Sequence, residues 1–399
     1  MTMRTYLVFA TVLPLVLAGA FAWAQQPGPS RRPAPPYSPA RVAGDFVYLS
    51  GMLPTGDDGT IVPGDIKAQT ARTLDNLAAV LRRNGSSLER AASVSVYLRR
   101  ASDFAAMNEV YARYWPKDPP ARTTVMAPPV LPDALVEISL VAVRDGAERT
   151  IVHPEGWLRS PSPYSYGVKS GNTLFLAGLV ARRANDNTFA GGDMKAQTAA
   201  AIQNGREILS AAGFSLADVV SSRVYITNTA FVQDMNGVYR EAFPVSPPAR
   251  ATVRCGLMGQ DYLVEITMVA VRDPERRAIT TPGPDGSPGK ASPVLSSAIQ
   301  VGNRLYLSGM LGVTDAARGN VAAQTNETLG RMGRTLEAAG FSWKNVVEAV
   351  VYLPDARDFA AMNEAYRAAL PEPFPARTTV EAGLVAPDGL VEIMMTAVK

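Results

Sequence analysis

The chain has almost none of the two residue types that most often carry out nucleophilic and metal chemistry. Its 399 residues include one histidine, His153, and one cysteine, Cys255. A Ser-His-Asp triad or a Cys-His pair needs a histidine in the site, and a zinc centre of Cys and His needs several such ligands. Because His153 falls in a predicted linker, these site types are excluded, and no disulfide can form within the chain. Cys255 is expected to be a small buried residue.

A strong charge of either sign is also missing. The formal net charge is +3 at pH 7, and charged residues make up 19% of the chain. No basic run is interleaved with aromatic residues, so we expect scattered, solvated Lys and Arg rather than a nucleic-acid surface. The hydrophobic content of 47% is that of an ordinary globular protein.

What the chain does contain is one short stretch that occurs three times. It reads Pro-Ala-Arg-Thr-Thr-Val at 120–125 and 375–380, and Pro-Ala-Arg-Ala-Thr-Val at 248–253. A glutamate follows each arginine by 15 positions, within an apolar run. Since the copies lie 127 or 128 residues apart, the repeat has the length of a domain. The pairs are Arg122 with Glu137, Arg250 with Glu265, and Arg377 with Glu392.

Three such domains and their connections account for most of the chain. The repeat pattern predicts domains at residues 37–144, 161–272 and 293–399, with linkers at 145–160 and 273–292. The second linker is rich in Pro and Gly, which is typical of a connector that runs over the surface.

The N-terminus carries the longest apolar run. Residues 1–24 combine Arg4, a largely apolar segment and the small-residue pattern Ala22-Trp23-Ala24, which predicts a cleaved signal peptide. The alternative is a retained membrane anchor, because residues 5–24 contain no charge and are long enough to span a bilayer. Cleavage predicts a secreted or periplasmic protein. Residues 25–36 are Pro-rich and are predicted to be a disordered lead-in.

Apolar periodicity predicts an α+β domain of order β-α-β-α-β-β, with both helices on one face of the sheet. In repeat one, Gly51 is predicted to end the first strand and Asn84-Gly85 to end the first helix. The predicted strands are 45–50, 92–98, 122–126 and 135–143, and the helices begin after Asp65 and near 102–103.

The last strand of each repeat bears on how the domains assemble. Residues 135–143 are apolar on both faces, whereas a sheet with one wet face alternates apolar and polar residues. One face needs the helices, and the other needs a second cover. We therefore expect the other two repeats of the chain to provide this cover, so that the three pack as an intrachain pseudo-trimer.

The arginine and glutamate are the candidate site. We expect Arg122 and Glu137 on neighbouring antiparallel strands, flanked by apolar residues. A buried ion pair stabilises a fold poorly, because desolvation offsets most of the Coulomb attraction. Arginine grips a carboxylate with two parallel hydrogen bonds, and a half-buried glutamate can hold a water and move a proton. The pair therefore suits a small 2-substituted carboxylic acid, with Asn108 and Thr124 adding polar contacts.

These motifs resemble those of the RidA (YjgF) family of enamine/imine deaminases, also labelled L-PSP. The matching residues are Tyr37, Leu49-Ser50-Gly51, Gln69, Asn76, Met107-Asn108, Pro120-Ala121-Arg122 and Val136-Glu137-Ile138, most with counterparts in the later repeats. The resemblance covers nearly everything from residue 37 to 399. It implies a chorismate-mutase-like α+β fold, trimers with clefts between subunits, and cofactor-free hydrolysis of 2-imino or 2-enamino acids to 2-keto acids and ammonia.

The resemblance also implies roles for individual residues. The glutamates Glu137, Glu265 and Glu392 would position water and act as acid and base. The residues expected to bind the substrate are Arg122, Arg250, Arg377, Tyr37, Tyr164, Asn108, Asn236, Asn363, Thr124, Thr252, Thr379, Ser50 and Ser308.

Several departures from the family pattern predict unequal sites. Threonine stands two residues after each arginine, where family deaminases often carry cysteine. The position of Tyr37 and Tyr164 holds Leu295 in repeat three, and the position of Ser50 and Ser308 holds Ala177 in repeat two. Arg331 replaces the asparagine found at Asn76 and Asn204.

Two function classes remain open. One is an imine/enamine deaminase without metal or cofactor, which acts on small 2-imino or 2-keto carboxylates. The other is an exported small-carboxylate-binding or holdase module that uses the same clefts without turnover. A ribonuclease is a more distant third, because the chain has neither a basic surface nor a catalytic histidine. No nucleic-acid partner is expected, nor a membrane partner after signal cleavage, and the chain is expected to be monomeric.

Overall fold

The computed structural model describes residues 1–2 and 35–399. Apart from residues 1–2 and 35–36, the predicted signal peptide and lead-in lie outside the described residues. In the part of the chain that the structure describes, no helix has both the length and the apolar character needed to cross a bilayer.

The first domain opens with a β-hairpin and then alternates helices with strands. The first hairpin strand was absent from the predicted order, because four residues at a sheet edge are too short to show a periodic pattern. The elements of the first domain are β1 (Ala40–Ala43), β2 (Phe46–Met52), α1 (Ile66–Arg83), β3 (Ala91–Leu98), α2 (Phe104–Tyr114), β4 (Ala121–Met126) and β5 (Val136–Val143).

The second and third domains repeat this order and add short strands of their own. The second domain contains β6 (Thr150–Val152), β7 (Gly167–Ser170), β8 (Thr173–Leu176), α3 (Met194–Ala211), β9 (Val219–Ile226), α4 (Val232–Ala242), β10 (Ala249–Arg254), β11 (Gly256–Leu257) and β12 (Val264–Val271). The third contains β13 (Arg276–Ile279), β14 (Ala298–Val301), β15 (Arg304–Leu311), α5 (Val321–Ala338), β16 (Val346–Leu353), α6 (Phe359–Ala369), β17 (Ala376–Glu381), β18 (Gly383–Leu384) and β19 (Glu392–Val398).

The two segments predicted as linkers are partly regular structure. β6 lies in the first segment and pairs antiparallel with β7. β13 lies in the second segment and pairs antiparallel with β14. Each connection therefore adds an edge strand to the sheet of the domain that follows it.

Matched caps start the three long helices. The side chains of Asp65, Asp193 and Asn320 each accept a hydrogen bond from the backbone N–H three residues later, at 2.9 to 3.0 Å. Such caps satisfy one of the free N–H groups of the first turn. At the other end of α1, Asn84 follows the last helical residue, as predicted.

β2 passes through Gly51 instead of ending there. Its register against β5 shifts between Leu49 and Met52, so Ser50 and Gly51 form a bulge. The same shift separates Leu307 and Met310 in β15. A bulge re-aims the strand locally, and here it lies where two domains meet.

The three sheets exchange short strands around the molecule. β11 of the second domain pairs with β4 of the first, and β18 of the third domain pairs with β10 of the second. Pro129 of the first domain forms a bridge with Val380 on β17 of the third. Each domain thus extends the sheet of the preceding one, and the first domain does so for the third.

Both faces of each sheet are buried. On one face of the first sheet, Leu74 and Leu77 of α1 pack with Ile138 and Leu140 of β5. The other face is covered by the other domains, as the two-sided apolar pattern predicted. One shared cluster joins Val141 and Val143 with Phe175 of the second domain and Val347 of the third. Another brings together the fully buried tyrosines Tyr97, Tyr225 and Tyr352.

Candidate active site

The arginine and glutamate of one repeat do not lie on neighbouring strands, so that prediction was wrong. Arg122 lies on β4 and Glu137 on β5, and β3 runs between them in the sheet. β3 and β4 are parallel, because α2 connects them as a crossover. The crossover places β4 at the edge beyond β3, whereas β5 pairs with β3 from the other side.

Each arginine instead faces the glutamate of another domain. Arg122 and Glu265 line one cavity of about 220 Å³ between the first and second domains. The same pairing holds at the other two domain boundaries, where the charge of Glu392 acts on the pKa of Arg250 and that of Glu137 on the pKa of Arg377. We name the sites by these pairs: cleft A holds Arg122 and Glu265, cleft B holds Arg250 and Glu392, and cleft C holds Arg377 and Glu137.

The arginine of each cleft is buried against an aromatic ring of its own domain. The guanidinium carbon lies 4.6 Å from the ring centroid of Tyr111 in cleft A, 4.6 Å from Tyr239 in cleft B and 4.8 Å from Tyr366 in cleft C. Burial lowers the pKa of all three arginines from 12.5, although a guanidinium stays charged at physiological pH. Each arginine keeps at least one buried nitrogen without a hydrogen-bond partner.

The predicted asparagines contact the arginines. Oδ1 of Asn236 accepts a hydrogen bond from Nη2 of Arg250 at 2.6 Å, and Asn363 does the same for Arg377 at 2.6 Å. In cleft A, Oδ1 of Asn108 is buried without a partner. The asparagine therefore orients the guanidinium in clefts B and C, and cleft A lacks this contact.

A glycine makes room for each glutamate. A Cβ on Gly51 would lie 1.8 Å from Oε1 of Glu137, and one on Gly178 would lie 1.8 Å from Oε1 of Glu265. At Gly309 the corresponding distance to Glu392 is 1.9 Å. The carboxylate thus occupies space that any other residue at the bulge would fill.

The glutamates are buried and hold a proton at neutral pH. Burial raises the pKa of Glu137, Glu265 and Glu392 from 4.5 to about 8. A backbone hydrogen bond from a threonine of the facing domain and the charge of the facing arginine act in the opposite direction. Burial has the larger effect on the pKa of each glutamate. Among the residues that the structure describes, none of the three glutamates forms a direct ion pair with its facing arginine, and Oε2 of Glu392 has no hydrogen-bond partner.

The threonine two residues after each arginine has a hydroxyl without a hydrogen-bond partner. Oγ1 of Thr124, Thr252 and Thr379 is buried and makes no hydrogen bond to the protein. Buried polar atoms are normally paired, so an unpaired one needs an explanation. In cleft A the hydroxyl lines the same cavity as Arg122 and Glu265. Unpaired arginine nitrogens, hydroxyls and a protonated carboxyl together form a set of contacts that a small polar ligand can fill.

The predicted serines form hydrogen bonds with the backbone of the arginine residues. Oγ of Ser50 accepts a hydrogen bond from the N–H of Arg377 at 2.7 Å and donates to the carbonyl of Ser38 at 2.7 Å. Ser308 makes the matching contacts with Arg250 at 2.8 Å and with Ser296 at 2.6 Å. In cleft A, Ala177 occupies this position and has no hydroxyl with which to accept from Arg122.

Each predicted tyrosine lies beside the arginine of another domain. The ring of Tyr164 is 5.8 Å from the Arg122 guanidinium carbon, and that of Tyr37 is 5.5 Å from Arg377. Cleft B has Leu295 at this position and therefore no such ring. Cleft C is thus the one site that combines the serine, the asparagine contact and the tyrosine.

Two other recurrent residues hold loops in place. Nε2 of Gln69 donates to the carbonyl of Asp133 at 3.0 Å, and its Oε1 accepts from the N–H of Leu135 at 2.8 Å, which fixes the approach to β5. Nδ2 of Asn76 donates to the carbonyls of Leu53 and Thr55 after β2. In the third domain, Arg331 takes over by donating to the carbonyl of Leu311 at 2.7 Å.

The single cysteine and histidine make ordinary structural contacts. Cys255 is buried, as predicted, and burial raises the pKa of its thiol, which makes a reactive thiolate unfavourable. His153 lies 2.9 Å from the carbonyl of Trp157 and packs against the ring of Tyr166 at 5.6 Å.

Sequence reasoning missed three contributors to the clefts. It placed Gly51 at a strand end and in the family motif, but gave no reason for a glycine there, although its missing side chain makes room for Glu137. It gave Phe104 no part in the site, but this ring lies 5.9 Å from the Arg122 guanidinium carbon. It did not single out Arg182, which lines cleft A. Aligning the three repeats position by position would have revealed Arg182 as a cation without counterparts.

The clefts can be compared with known proteins. One family model, described as Endoribonuclease L-PSP, matches residues 29–144, 157–272 and 288–399. The 3-aminoacrylate deaminase RutC of Acinetobacter baylyi is 41% identical over 111 residues, which are 28% of this chain and 88% of that protein. A RutC family protein of Pyrococcus abyssi is 40% identical over 115 residues, 29% of this chain and 91% of that protein.

Among solved structures, a chorismatase matches over several domains at once. It covers 77% of this chain and 93% of its own, with a TM-score of 0.53 and 18% sequence identity. At that identity the likeness concerns the fold alone. The three matches of the family model span most of the sequence, and the chain therefore belongs to the L-PSP family, also known as RidA or YjgF, with three tandem copies of the family domain.

Proposed function

We propose that this protein hydrolyses reactive 2-imino and 2-enamino acids to 2-keto acids and ammonia without a cofactor. The observation that carries the proposal is the pairing of a buried, incompletely bonded arginine with a buried, protonated glutamate from another domain. The two groups share a cleft without forming an ion pair, so both are available to a ligand. The similarity of one domain's length of this chain to a 3-aminoacrylate deaminase favours an enamine or imine as that ligand.

The arginine binds the carboxylate of the substrate. Its free guanidinium nitrogen can donate to a carboxylate oxygen, and burial strengthens this contact because water does not compete. The threonine hydroxyl next to it provides a second donor. In clefts B and C, the asparagine contact fixes the guanidinium plane before the substrate arrives.

The glutamate transfers the protons. With a pKa of about 8 it is mostly protonated at neutral pH, so it can donate a proton to the imine nitrogen, or to the β-carbon of the enamine. The resulting carboxylate then accepts a proton from water as the water oxygen bonds to C2. The glutamate returns that proton to the nitrogen of the carbinolamine, which makes ammonia the leaving group. As the C–N bond breaks, the carboxylate takes the proton of the C2 hydroxyl and C2=O forms, so the products are a 2-keto acid and ammonia. Because the glutamate ends protonated, it is ready for the next turnover.

We propose that the three domains of a single chain form an intrachain pseudo-trimer without a second chain. The three sheets bury their second faces against one another, and all three clefts form within one chain. Light scattering is therefore expected to give the mass of one chain at all concentrations. A mass of three chains, or one that rises with concentration, would show that the domains pair between chains.

Export of the protein remains a prediction, because the predicted signal peptide lies almost entirely outside the residues that the structure describes. If the signal peptide is cleaved, the native protein begins near Gln25, and its intact mass reports this directly. A membrane-bound form that retains residues 1–24 would favour the anchor.

The function is tested with 2-iminopropanoate generated in situ by an amino-acid oxidase. The rates of ammonia and keto-acid release above spontaneous hydrolysis are compared between the native chain and the triple variant Arg122→Lys, Arg250→Lys and Arg377→Lys. Lysine keeps the charge but loses the bidentate grip, which costs about 1–3 kcal/mol in carboxylate binding. The expected loss in kcat/KM is thus about 5- to 150-fold.

A matched variant controls for the number of substitutions. It carries the exposed changes Arg83→Lys, Arg206→Lys and Arg318→Lys, one in each domain, and should keep native activity. Circular dichroism checks that both variants fold. Native rates in a folded cleft variant would refute the arginine role. Tight pyruvate binding without any turnover would instead favour the carboxylate-binding module.

A further inference from the structure

Cleft A contains a second arginine that the mechanism above does not use. Arg182 follows β8 and lines the same cavity as Arg122 and Glu265. It lies four residues after Gly178, the glycine that makes room for Glu265. Position by position, Thr55 follows Gly51 and Val313 follows Gly309 in the same way. Clefts B and C therefore lack this cation.

Aromatic rings hold the Arg182 guanidinium at the cavity. Its central carbon lies 5.2 Å from the ring centroid of Tyr166 and 5.9 Å from that of Tyr164. Tyr262 lines the same cavity, and the charge of Arg182 acts to lower its pKa against the larger effect of burial. Such stacking restrains a long side chain while it leaves the N–H groups at the guanidinium edge free.

No carboxylate neutralises Arg182. Among the residues that the structure describes, its side chain has neither an ion pair nor a hydrogen bond, whereas the neighbouring Arg183 donates to the carbonyl of Phe189 at 3.1 Å. An arginine that is stacked, half-buried and without an anion is a preformed binding group for an anion supplied from outside.

Both cations of cleft A flank one ring. The guanidinium carbon of Arg122 is 5.8 Å from the Tyr164 centroid, and that of Arg182 is 5.9 Å from the same point. The two guanidinium carbons are therefore at most about 12 Å apart, and both residues line the same cavity, where one small molecule with two negative groups would lie between them. Glu265, protonated by burial, adds no negative charge to oppose such a ligand.

We propose that cleft A is selective for dicarboxylic 2-imino acids, with one carboxylate on Arg122 and the second on Arg182. For the identity of the reacting imine this inference rests on the proposed function, while the dicarboxylate selectivity rests on Arg182. Clefts B and C, with Val313 and Thr55 at the matched positions, take monocarboxylic substrates. One chain would thus cover two substrate classes.

The test weakens clefts B and C with Arg250→Lys and Arg377→Lys, so that cleft A carries most of the turnover. In this background kcat/KM is measured for 2-iminosuccinate and for 2-iminopropanoate, generated by oxidases from aspartate and alanine. The ratio of the two values is the readout. Arg182→Thr, which installs the residue of the first domain, is expected to lower this ratio at least tenfold. Arg183→Thr removes one positive charge from the same segment and should leave the ratio unchanged.

A binding measurement separates the failure of this inference from a failure of the proposed function. Calorimetry compares oxaloacetate with pyruvate, the corresponding keto acids, on the same variants. Turnover of both imines with a ratio that Arg182→Thr does not change would overturn the inference and leave the deaminase proposal standing. Absence of turnover, with an oxaloacetate preference that Arg182→Thr abolishes, would overturn the deaminase proposal and support the dicarboxylate site. Equal binding of both keto acids would overturn the inference as well.

Discussion

Replacing Glu137 by glutamine probes the proton that the mechanism needs before any substrate is present. Burial raises the pKa of Glu137 to about 8 in the folded chain, against an ordinary value of 4.5. Between these two pH values the folded state keeps a proton that the unfolded state has released. The stability contributed by this group is therefore present at low pH and is lost as the pH rises towards 8.

The size of the effect follows from proton linkage. For one fully buried carboxyl, the free energy of unfolding falls by about 1.4 kcal/mol per pH unit within this window. Glutamine has almost the same shape and does not titrate. The stability of Glu137→Gln relative to the native chain is therefore expected to increase between pH 5 and pH 8, by up to about 4 kcal/mol in total.

Urea unfolding followed by tryptophan fluorescence at pH 5, 6, 7 and 8 measures this difference. Glu89→Gln is the matched control, because a hydrogen bond from Ser87 lowers the pKa of Glu89 and reverses the sign. The stability of Glu89→Gln relative to the native chain should therefore not increase between pH 5 and pH 8. If the difference between Glu137→Gln and the native chain stayed constant from pH 5 to pH 8, the carboxyl would be ionised throughout. Its assignment as proton donor would then be withdrawn.

Two further predictions concern residues around the clefts. Gly51→Ala places a Cβ 1.8 Å from Oε1 of Glu137, so it should displace the carboxyl while the chain stays folded. Turnover by cleft C, measured in a background with Arg122→Lys and Arg250→Lys, should then be abolished. Unchanged turnover would contradict the packing argument. Ala177→Ser supplies cleft A with the hydroxyl that Ser50 and Ser308 give the other clefts, and thermal unfolding should show a stabilisation of about 0.5–1.5 kcal/mol. A destabilised Ala177→Ser chain would mean that cleft A cannot accommodate the hydroxyl.

Much of the domain could be predicted from local sequence signals. The cap at Asp65, the end of α1 at Asn84 and the strand that carries Arg122 all depend on neighbouring residues, and the structure agrees with them. The apolar pattern on both faces of β5 also predicted a second cover, which the other domains provide.

The partner of each arginine could not be predicted in the same way. A constant spacing of 15 residues suggested that Arg122 and Glu137 pair, but strand order depends on the crossover through α2, which no local pattern encodes. The identity of the facing glutamate depends further on how whole sheets pack. The function of Gly51 could not be predicted for a related reason, since it consists in the absence of a side chain where Glu137 needs room.

The cyclic exchange of site residues affects how the clefts can change by mutation. In a trimer of identical chains, every substitution appears in all three clefts at once. In this chain a substitution occurs once, so Arg182 can alter cleft A while cleft C keeps its complete set of residues. The three clefts can therefore acquire different specificities one at a time. Their structures remain linked, because each domain supplies the arginine of one cleft and the glutamate of another, and loss of any domain would leave only one cleft intact.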